Sequence, residues 1–404
     1  LYSAHVQSDQ RRNKDAHQIR RAFFQDKMNQ KPKLLLVADT YYPKVDGTLK
    51  FIEEFLKRSQ DAFEISLLVP DYGTHKGKKV TYLDVSKMWK VSGYANLQFC
   101  PSNFKKMKTA IKEADLIFIQ GPALISYLSI HYARKYDKKI FFYTHTLTWE
   151  LFEKFFPLFN KPISYFIKKL SISLYNRCDQ ILVPYHELKE HLQQQGVRTE
   201  ITTARLGVDI DTFNPTAEKR ASKEKVHLNP EKKVIGYVGR ISKEKNTDLL
   251  LEAFQKIEDQ DNITLLMVGD GPEKQTRELK QLKNCKVTGF VYNVQDYLKA
   301  MDVFVMPSLT ETTSLATLEA MSTGLPVIAT RVGFIKSYII KNHNGLFFPR
   351  NSATMLSVKI SKLLKDREYR ERLGQNARKT VAYGFSWERS INRIKRILLK
   401  QYYH

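Results

Sequence analysis

The sequence predicts an α/β protein built from two doubly wound, Rossmann-like domains, and three observations carry that prediction. Short apolar runs of strand length alternate with segments of 3.6-residue apolar spacing, the pattern of a parallel sheet covered on both faces. The pattern begins at Lys33 and restarts at Lys233. At 404 residues the chain is long enough to bury two separate cores.

Residues 1–30 are polar and basic, with a weak helical pattern around Ile19, Phe23 and Phe24, and read as an N-terminal extension. The first domain spans 31–205. Its predicted strands are Leu34–Ala38, Glu64–Val69, Leu116–Gln120, Lys139–Tyr143 and Gln180–Val183, and a helix carrying Phe51, Phe55 and Leu56 follows the first of them. The second domain spans 206–385, with strands at Val234–Gly239, Ile263–Val268, Val303–Met306 and Pro326–Ala329. Thr216–Pro230 is charged and lacks strand texture, so it reads as a surface connection. Residues 386–404 form a C-terminal helix, Trp387–Tyr402, with Ile391, Ile394, Leu398 and Tyr402 on one stripe; it is expected to cross back to the first domain. In open α/β sheets nucleotides bind beyond the carboxyl ends of the strands, so the chemistry is expected on loops after strands, around a cleft that the two domains face.

Composition narrows the classes. Hydrophobic residues are 42% and aromatics 12%, which suits a globular chain. Cys100, Cys178 and Cys285 lie far apart, which argues against a disulfide framework or zinc site and fits a reducing cytoplasm. No run reaches the ~18 apolar residues of a membrane span. The chain opens on Leu1 rather than Met, which leaves an upstream anchor or signal open. The net charge of +24 draws anionic partners: nucleic acid, acidic lipid headgroups or phosphorylated substrates. No nucleic-acid-binding module is recognisable and the charge is dispersed, so no nucleic acid is expected as a partner.

The strongest local signal runs from Pro307 to Met321. Glu311 follows a predicted strand, and Glu319 lies eight positions on, in a predicted helix. Eight residues are about two helical turns, so both carboxylates can face one side. A carboxylate there can accept hydrogen bonds from sugar hydroxyls, and the helix-start amides can hold phosphates. Spacing alone fits equally well an acid complementing the helix dipole plus a solvent-facing Glu. Gly239-Arg240-Ile241-Ser242-Lys243-Glu244-Lys245 ends another strand: glycine permits close backbone approach, and Arg240 and Lys245 offer two cations to an anion. In so basic a chain a solvated loop would look the same. Gly47, after Tyr41-Tyr42-Pro43-Lys44-Val45-Asp46, precedes a helix and suits a phosphate. His145 ends the strand Lys139–Tyr143. The strings Asp209-Ile210-Asp211 and Asp259-Gln260-Asp261 read as structural, and no metal is implied.

Glu311 to Glu319, with the flanking Pro307-Ser308 and Gly324–Ala329, resembles the E-x7-E motif of glycosyltransferase family 4. Gly239–Lys245 resembles the family's G-R-x4-K element, and Arg205–Phe213 its G-V-D-x4-F crossover. The resemblance covers about residues 33–400 and is nearest in pattern to glucosyl-diacylglycerol synthases and phosphatidylinositol mannosyltransferases. It implies the GT-B fold and a retaining, metal-independent hexosyl transfer from a nucleotide sugar, UDP-glucose favoured and GDP-mannose possible, without a cofactor. It implies that Glu311 contacts the transferred sugar and Glu319 the ribose. Arg240 and Lys245 would neutralise the leaving pyrophosphate, and Thr313, Ser314 and Leu315 would lie by the phosphates. Gly47, Gly239, Gly271 and Val291 would border the donor, and His145 would reach the sugar. Where many relatives carry Gly-Gly, this chain has Asp46-Gly47, a variant that recurs among lipid-modifying members.

The acceptor side falls to the first domain. Trp149, Phe152, Phe155, Phe156, Phe159, Tyr165, Phe166 and Tyr175 interleave with Lys154, Lys161, Lys168, Lys169 and Arg177, and Phe104-Lys105-Lys106-Met107-Lys108 adds a second basic patch. Core packing of the aromatics is one reading. The other is a surface for a lipid acceptor at an anionic membrane, to which Lys105, Lys106, Trp149, Phe152, Lys168 and Lys169 are assigned. The enzyme is then expected in the cytoplasm, peripheral on the inner face of the membrane. A soluble glycan or a cell-surface polysaccharide precursor is the alternative acceptor.

Overall fold

The computed structural model describes residues 30–43, 46–73, 79–91, 94–121, 123–145, 147, 149, 160–257 and 260–403. The chain divides into two compact units. Among the described residues the first comprises the chain up to Val183, Lys189–Thr202 and Ile394 onward, and the second comprises Pro184–Leu188 and Thr203–Arg393. The C-terminal helix Trp387–Tyr403 therefore starts in the second unit and ends in the first.

The first unit holds β1 (Lys33–Ala38), β2 (Glu64–Asp71), β3 (Val80–Val91), β4 (Tyr94–Leu97), β5 (Leu116–Gln120), β6 (Lys139–Tyr143), β7 (Gln180–Val183) and β8 (Ile201–Thr203). They form one sheet in the order β4-β3-β2-β1-β5-β6-β7-β8. β1 pairs in parallel with β2 on one side and with β5 on the other. Leu34, Leu35, Leu36, Val37 and Ala38 of β1 are fully buried, as the unbroken apolar run requires of a strand covered on both faces. β3 and β4 make an antiparallel hairpin at the edge.

The second unit holds β9 (Lys233–Val238), β10 (Ile263–Val268), β11 (Cys285–Val287), β12 (Val303–Met306), β13 (Val327–Thr330) and β14 (Gly345–Phe348). Their order is β11-β10-β9-β12-β13-β14, and every recorded pair is parallel. In each sheet the winding reverses beside the first strand, between β1 and β5 and between β9 and β12. That switch point opens a crevice at the carboxyl ends, so the loops after β9 and β12 meet there.

Three helices show why they start where they do. Asp46 caps the helix Gly47–Ser59, its Oδ1 accepting from the Thr48 and Leu49 amides at 3.0 and 2.9 Å. Ser352 caps Ala353–Lys365 and Asp366 caps Arg367–Gly384 in the same way. Leu124–Lys135 has no cap of its own. Asp39, just past β1, serves instead: its carboxylate accepts from the amides of Ala123 and Ile125 at 3.0 and 2.9 Å and from the Ser126 hydroxyl. Burial pushes the Asp39 carboxyl up to about 6, while the hydrogen bonds from Ser126, Ala123 and Ile125 hold it down.

Two differences from the sequence reading stand out. Thr216–Pro230 contains the helix Lys219–Lys225, and its Lys223 is buried and paired with Asp302 at 2.9 Å. Lysine stems cover apolar surface as well as carry charge, so a lysine-rich segment packs against the core here. The strands β3, β4, β8, β11 and β14 lie at or near sheet edges and lack a long apolar run. The N-terminal extension lies outside the described residues except for Gln30. Among the described residues no helix is long and apolar enough to cross a membrane.

Candidate active site

The crevice of the second sheet is built from backbone first. Gly239, with φ +147, directly follows β9, and Gly269, with φ +142, directly follows β10. A Cβ on Gly269 would stand 2.0 Å from the Gly239 carbonyl oxygen, so the two strand ends meet only as glycines. The Gly239 amide donates to Val268 O at 2.9 Å and the Ile241 amide to Asp270 O at 2.8 Å, which ties the two loops together. Gly271 lies against the Ile241 carbonyl. A bridge between Gly269 and Gly289 brings the loop carrying Val291 alongside.

The loop after β9 is laced to the loop after β12. The Leu309 amide donates to Glu244 O at 2.9 Å, and the Thr310 hydroxyl to Glu244 Oε1 at 3.1 Å. Lys245 Nζ donates to Glu311 Oε1 at 2.6 Å, with only 18% and 8% of the two side chains exposed. The same oxygen accepts from Ser308 Oγ at 2.8 Å, and Ser308 is fully buried. Oε1 is thus filled by an ammonium and a hydroxyl. Among the described residues Oε2 accepts no hydrogen bond, and it is the oxygen left for a ligand hydroxyl. Arg240 is 73% exposed and stands 3.6 Å from Glu244. The nearby Tyr237 hydroxyl donates to Arg240 O at 2.7 Å, and burial together with the Glu311 charge drives it above the usual phenol range.

The helix Leu315–Ser322 starts at Ser314, which is left-handed at φ 58. Ser314 Oγ turns to Thr317 Oγ1 at 2.8 Å, so no side chain caps the first-turn amides. The Thr317 amide donates to Ser314 O at 3.1 Å, and the Leu315 and Ala316 amides, which donate to nothing among the described residues, remain open to an anion. The Thr313 hydroxyl is buried without a hydrogen-bond partner among the described residues. Glu319 sits half-buried one turn into this helix.

In the first unit His145 lies two residues past the end of β6. Its Nε2 lies 2.9 Å from Gln120 Oε1, and its ring packs on Tyr143 at 4.6 Å and Phe51 at 5.6 Å. This aromatic bed desolvates the imidazole and pulls it down to about 3, so it is neutral at pH 7. The depressed value gives the sign of its pH linkage. Its contribution to stability is present above the unfolded value near 6.5 and is lost as pH falls from there toward 3. We therefore expect His145→Gln to lose less thermal stability than the parent between pH 7 and pH 4. Parallel melting-temperature curves for the two proteins would contradict this.

Two family profiles match the chain: "Glycosyltransferase Family 4" over residues 45–212 and "Glycosyl transferases group 1" over residues 218–380. The chain belongs to glycosyltransferase family 4. It is 35% identical over 237 residues to the sulfoquinovosyl transferase SQD2 of Arabidopsis thaliana, covering 55% of this chain and 44% of that protein. It is 28% identical over 221 residues to alpha-monoglucosyldiacylglycerol synthase of Acholeplasma laidlawii, covering 52% and 54%. The matched region thus spans about half the length of these curated relatives. Anabaena HepE, solved in complex with UDP-glucose, superimposes with a TM-score of 0.72 at 19% identity, covering 91% of this chain and 99% of that one. The two Rossmann-like domains are those of the GT-B fold.

Within this family-4 framework, Gly239, Arg240, Lys245, Gly271, Val291, Glu311, Thr313, Ser314 and Leu315 lie on loops or the helix start at the carboxyl edge of the second sheet, and Glu319 lies one turn into that helix. The geometry changes one argument. Glu311 precedes the helix, so helical phase does not relate it to Glu319; Ser308 and Lys245 fix it instead. His145 and Gly47 belong to the first unit. The amides of Thr48 and Leu49, next to Gly47, are already taken by Asp46. Asp209 closes a turn by accepting from the Asp211 and Thr212 amides. Trp149, expected on an acceptor surface, is 4% exposed: its ring is withdrawn from solvent. Phe152 lies outside the described residues. Lys106 pairs with Asp84 at 3.2 Å, whereas Lys105 and Lys169 are exposed and Lys168 is half-buried. The reading of the sequence missed Glu244, Ser308, Gly333 and Gln120. Ser308 stood inside the quoted motif, but nothing in a sequence says which carboxylate oxygen a serine will hold.

Proposed function

We propose that this chain transfers a hexose from a nucleotide sugar, UDP-glucose favoured, to a membrane lipid, with retention at the anomeric carbon and without a metal ion. The observation that carries the reading is the Lys245–Glu311–Ser308 constellation, which leaves one carboxylate oxygen open beside a cation and an uncapped helix start. In this reading Arg240, Lys245 and the amides near Ser314 and Leu315 take the diphosphate, and Glu311 Oε2 takes a sugar hydroxyl. Glu319 takes the ribose, and neutral His145 positions the sugar from the first domain. The leaving diphosphate accepts the acceptor proton on the face it departs from, so catalysis is positioning plus charge stabilisation.

The lipid acceptor draws support from the first unit. The helix Asn160–Tyr175 leaves Tyr165 and Phe166 60% and 67% exposed, with Lys169 Nζ 5.3 Å from the Tyr165 ring centroid. An aromatic edge beside a cation suits a lipid interface at the inner face of the membrane. The name of one relative above, alpha-monoglucosyldiacylglycerol synthase, points the same way. The test is a donor-hydrolysis and transfer panel: UDP-glucose, UDP-galactose, UDP-GlcNAc and GDP-mannose, with diacylglycerol in vesicles or with a soluble glycan, in the presence of EDTA. Lipid-stimulated turnover of UDP-glucose giving the α-linked product is expected. Turnover that needs a divalent ion, or a β-linked product, overturns the mechanism; turnover only with the soluble glycan overturns the acceptor.

A further inference from the structure

The helix Pro101–Glu113 places Lys105, Lys108 and Lys112 on one face, at spacings of three and four residues. With Phe104, Thr109 and Tyr132 they line a groove of about 510 Å³ that contains no carboxylate. Lys108 Nζ stands 5.4 Å from the Tyr132 ring centroid, and Lys112 Nζ 4.8 Å from that of Tyr136. The rings hold the ammoniums in place without neutralising them. Neighbouring Lys106 is instead paired with Asp84; among the described residues none of the three groove lysines is paired with an acid. The helix is also anchored. Asn103 is fully buried and clamps the β3–β4 edge by donating to Asp84 O and Gln98 O and accepting from the Asp84 amide, all at 2.8–2.9 Å. At one end of the groove Phe99 is 67% exposed, with its ring 6.1 Å from that of Phe104.

We propose that this groove is a docking site for the phosphate headgroups of an anionic bilayer, separate from the donor site. The proposal rests on the lipid-acceptor reading above and deepens it. Two features select a lipid surface over a free phosphate. Seven residues of helix spread the three cations over about 10 Å, longer than a single phosphate group. The exposed Phe99 ring beside them gives the cations an apolar neighbour that an interface can take up and a dissolved anion cannot.

The experiment is flotation of the full chain with vesicles of phosphatidylcholine alone or mixed with phosphatidylglycerol, at low and high salt. Each headgroup-facing lysine is worth about fivefold in partitioning, so Lys105→Gln/Lys108→Gln/Lys112→Gln together are expected to weaken binding to the mixed vesicles by about a hundredfold. A control triple, Lys274→Gln/Lys280→Gln/Lys336→Gln, removes the same charge from exposed positions of the second unit and is expected to bind like the parent. Both triples should melt with the parent, which separates loss of docking from loss of fold, and the control triple should also hydrolyse donor at the parent's rate. If the parent does not float with anionic vesicles, the lipid reading itself fails. If it floats and the groove triple floats equally well, the groove assignment fails and the lipid reading stands. Inorganic phosphate that displaces the protein from vesicles at matched ionic strength would make the site one for a free anion and overturn the proposal.

Discussion

Replacing Glu311 by Gln is expected to lower hexosyl transfer by about a thousandfold while leaving the fold intact. The substitution keeps the shape of the side chain and changes its charge. In the parent, Oε1 accepts from Lys245 Nζ and Ser308 Oγ, so the carboxylate is oriented by two donors before any ligand arrives. An amide oxygen in that place still accepts from both, but the other terminal atom becomes an NH2 group. A donor then faces the sugar hydroxyl where an acceptor stood. Lys245 also loses its counter-charge, in a setting where the pair is mostly buried. Loss of one preorganised polar contact to a transition state costs about a hundred- to a thousandfold. Here the contact is not just lost but reversed, which sets the upper end of that range. The effect should fall on kcat, and the uncompensated Lys245 charge is expected to lower the melting temperature while the protein still folds cooperatively. Parent-like turnover would remove Glu311 from the site and the proposed mechanism with it.

The E-x7-E spacing drew attention to Glu311, but for a reason the structure replaces. Strands with buried apolar runs were legible from residue order: β5, β6, β7, β10 and β12 have the bounds read from the sequence, because the run of apolar residues that a strand covered on both faces requires stands out from the amphipathic segments around it. β8, β11 and β14 were not, since three or four residues at or near an edge give no periodicity to read. The site divides along a similar line. Residues that act through type and local order, Arg240, Lys245 and Glu311, were legible. Those that act through distance in space were not: Glu244 joins two loops 66 positions apart, and Gln120 meets His145 only because β5 and β6 are neighbours. The exposed and buried halves of the aromatic-basic stretch were equally hidden, for Trp149 and Phe166 are both large aromatics and yet differ in burial.

Gly333→Ala is expected to lower donor turnover by about a hundredfold without touching any charged group. Gly333 follows β13 with φ +51, and a Cβ there would lie 1.7 Å from the Glu311 carbonyl oxygen and 2.9 Å from that of Thr312. The next amide, Phe334, donates to Thr312 O at 2.8 Å, so the backbone of the Glu311 loop is held against this glycine. An alanine meets two costs. The left-handed backbone disfavours it by about 1–2 kcal/mol, and the overlap with backbone atoms is relieved only by pushing the Glu311–Thr312 peptide away. That displacement carries Glu311 off Ser308 and Lys245, and misplacement of a catalytic contact by about 1 Å is worth about a hundredfold in rate. Gly73→Ala isolates the first cost: Gly73 has φ +81, and its added Cβ meets nothing within 4 Å. It should lose stability by about 1 kcal/mol or slightly more and keep the parent's kcat and KM. Gly333→Ala should lose more stability and also lose kcat. If the two variants lose the same stability and both keep full turnover, the loop after β12 is not held in place by Gly333, and the orientation of Glu311 must come from its side-chain partners alone.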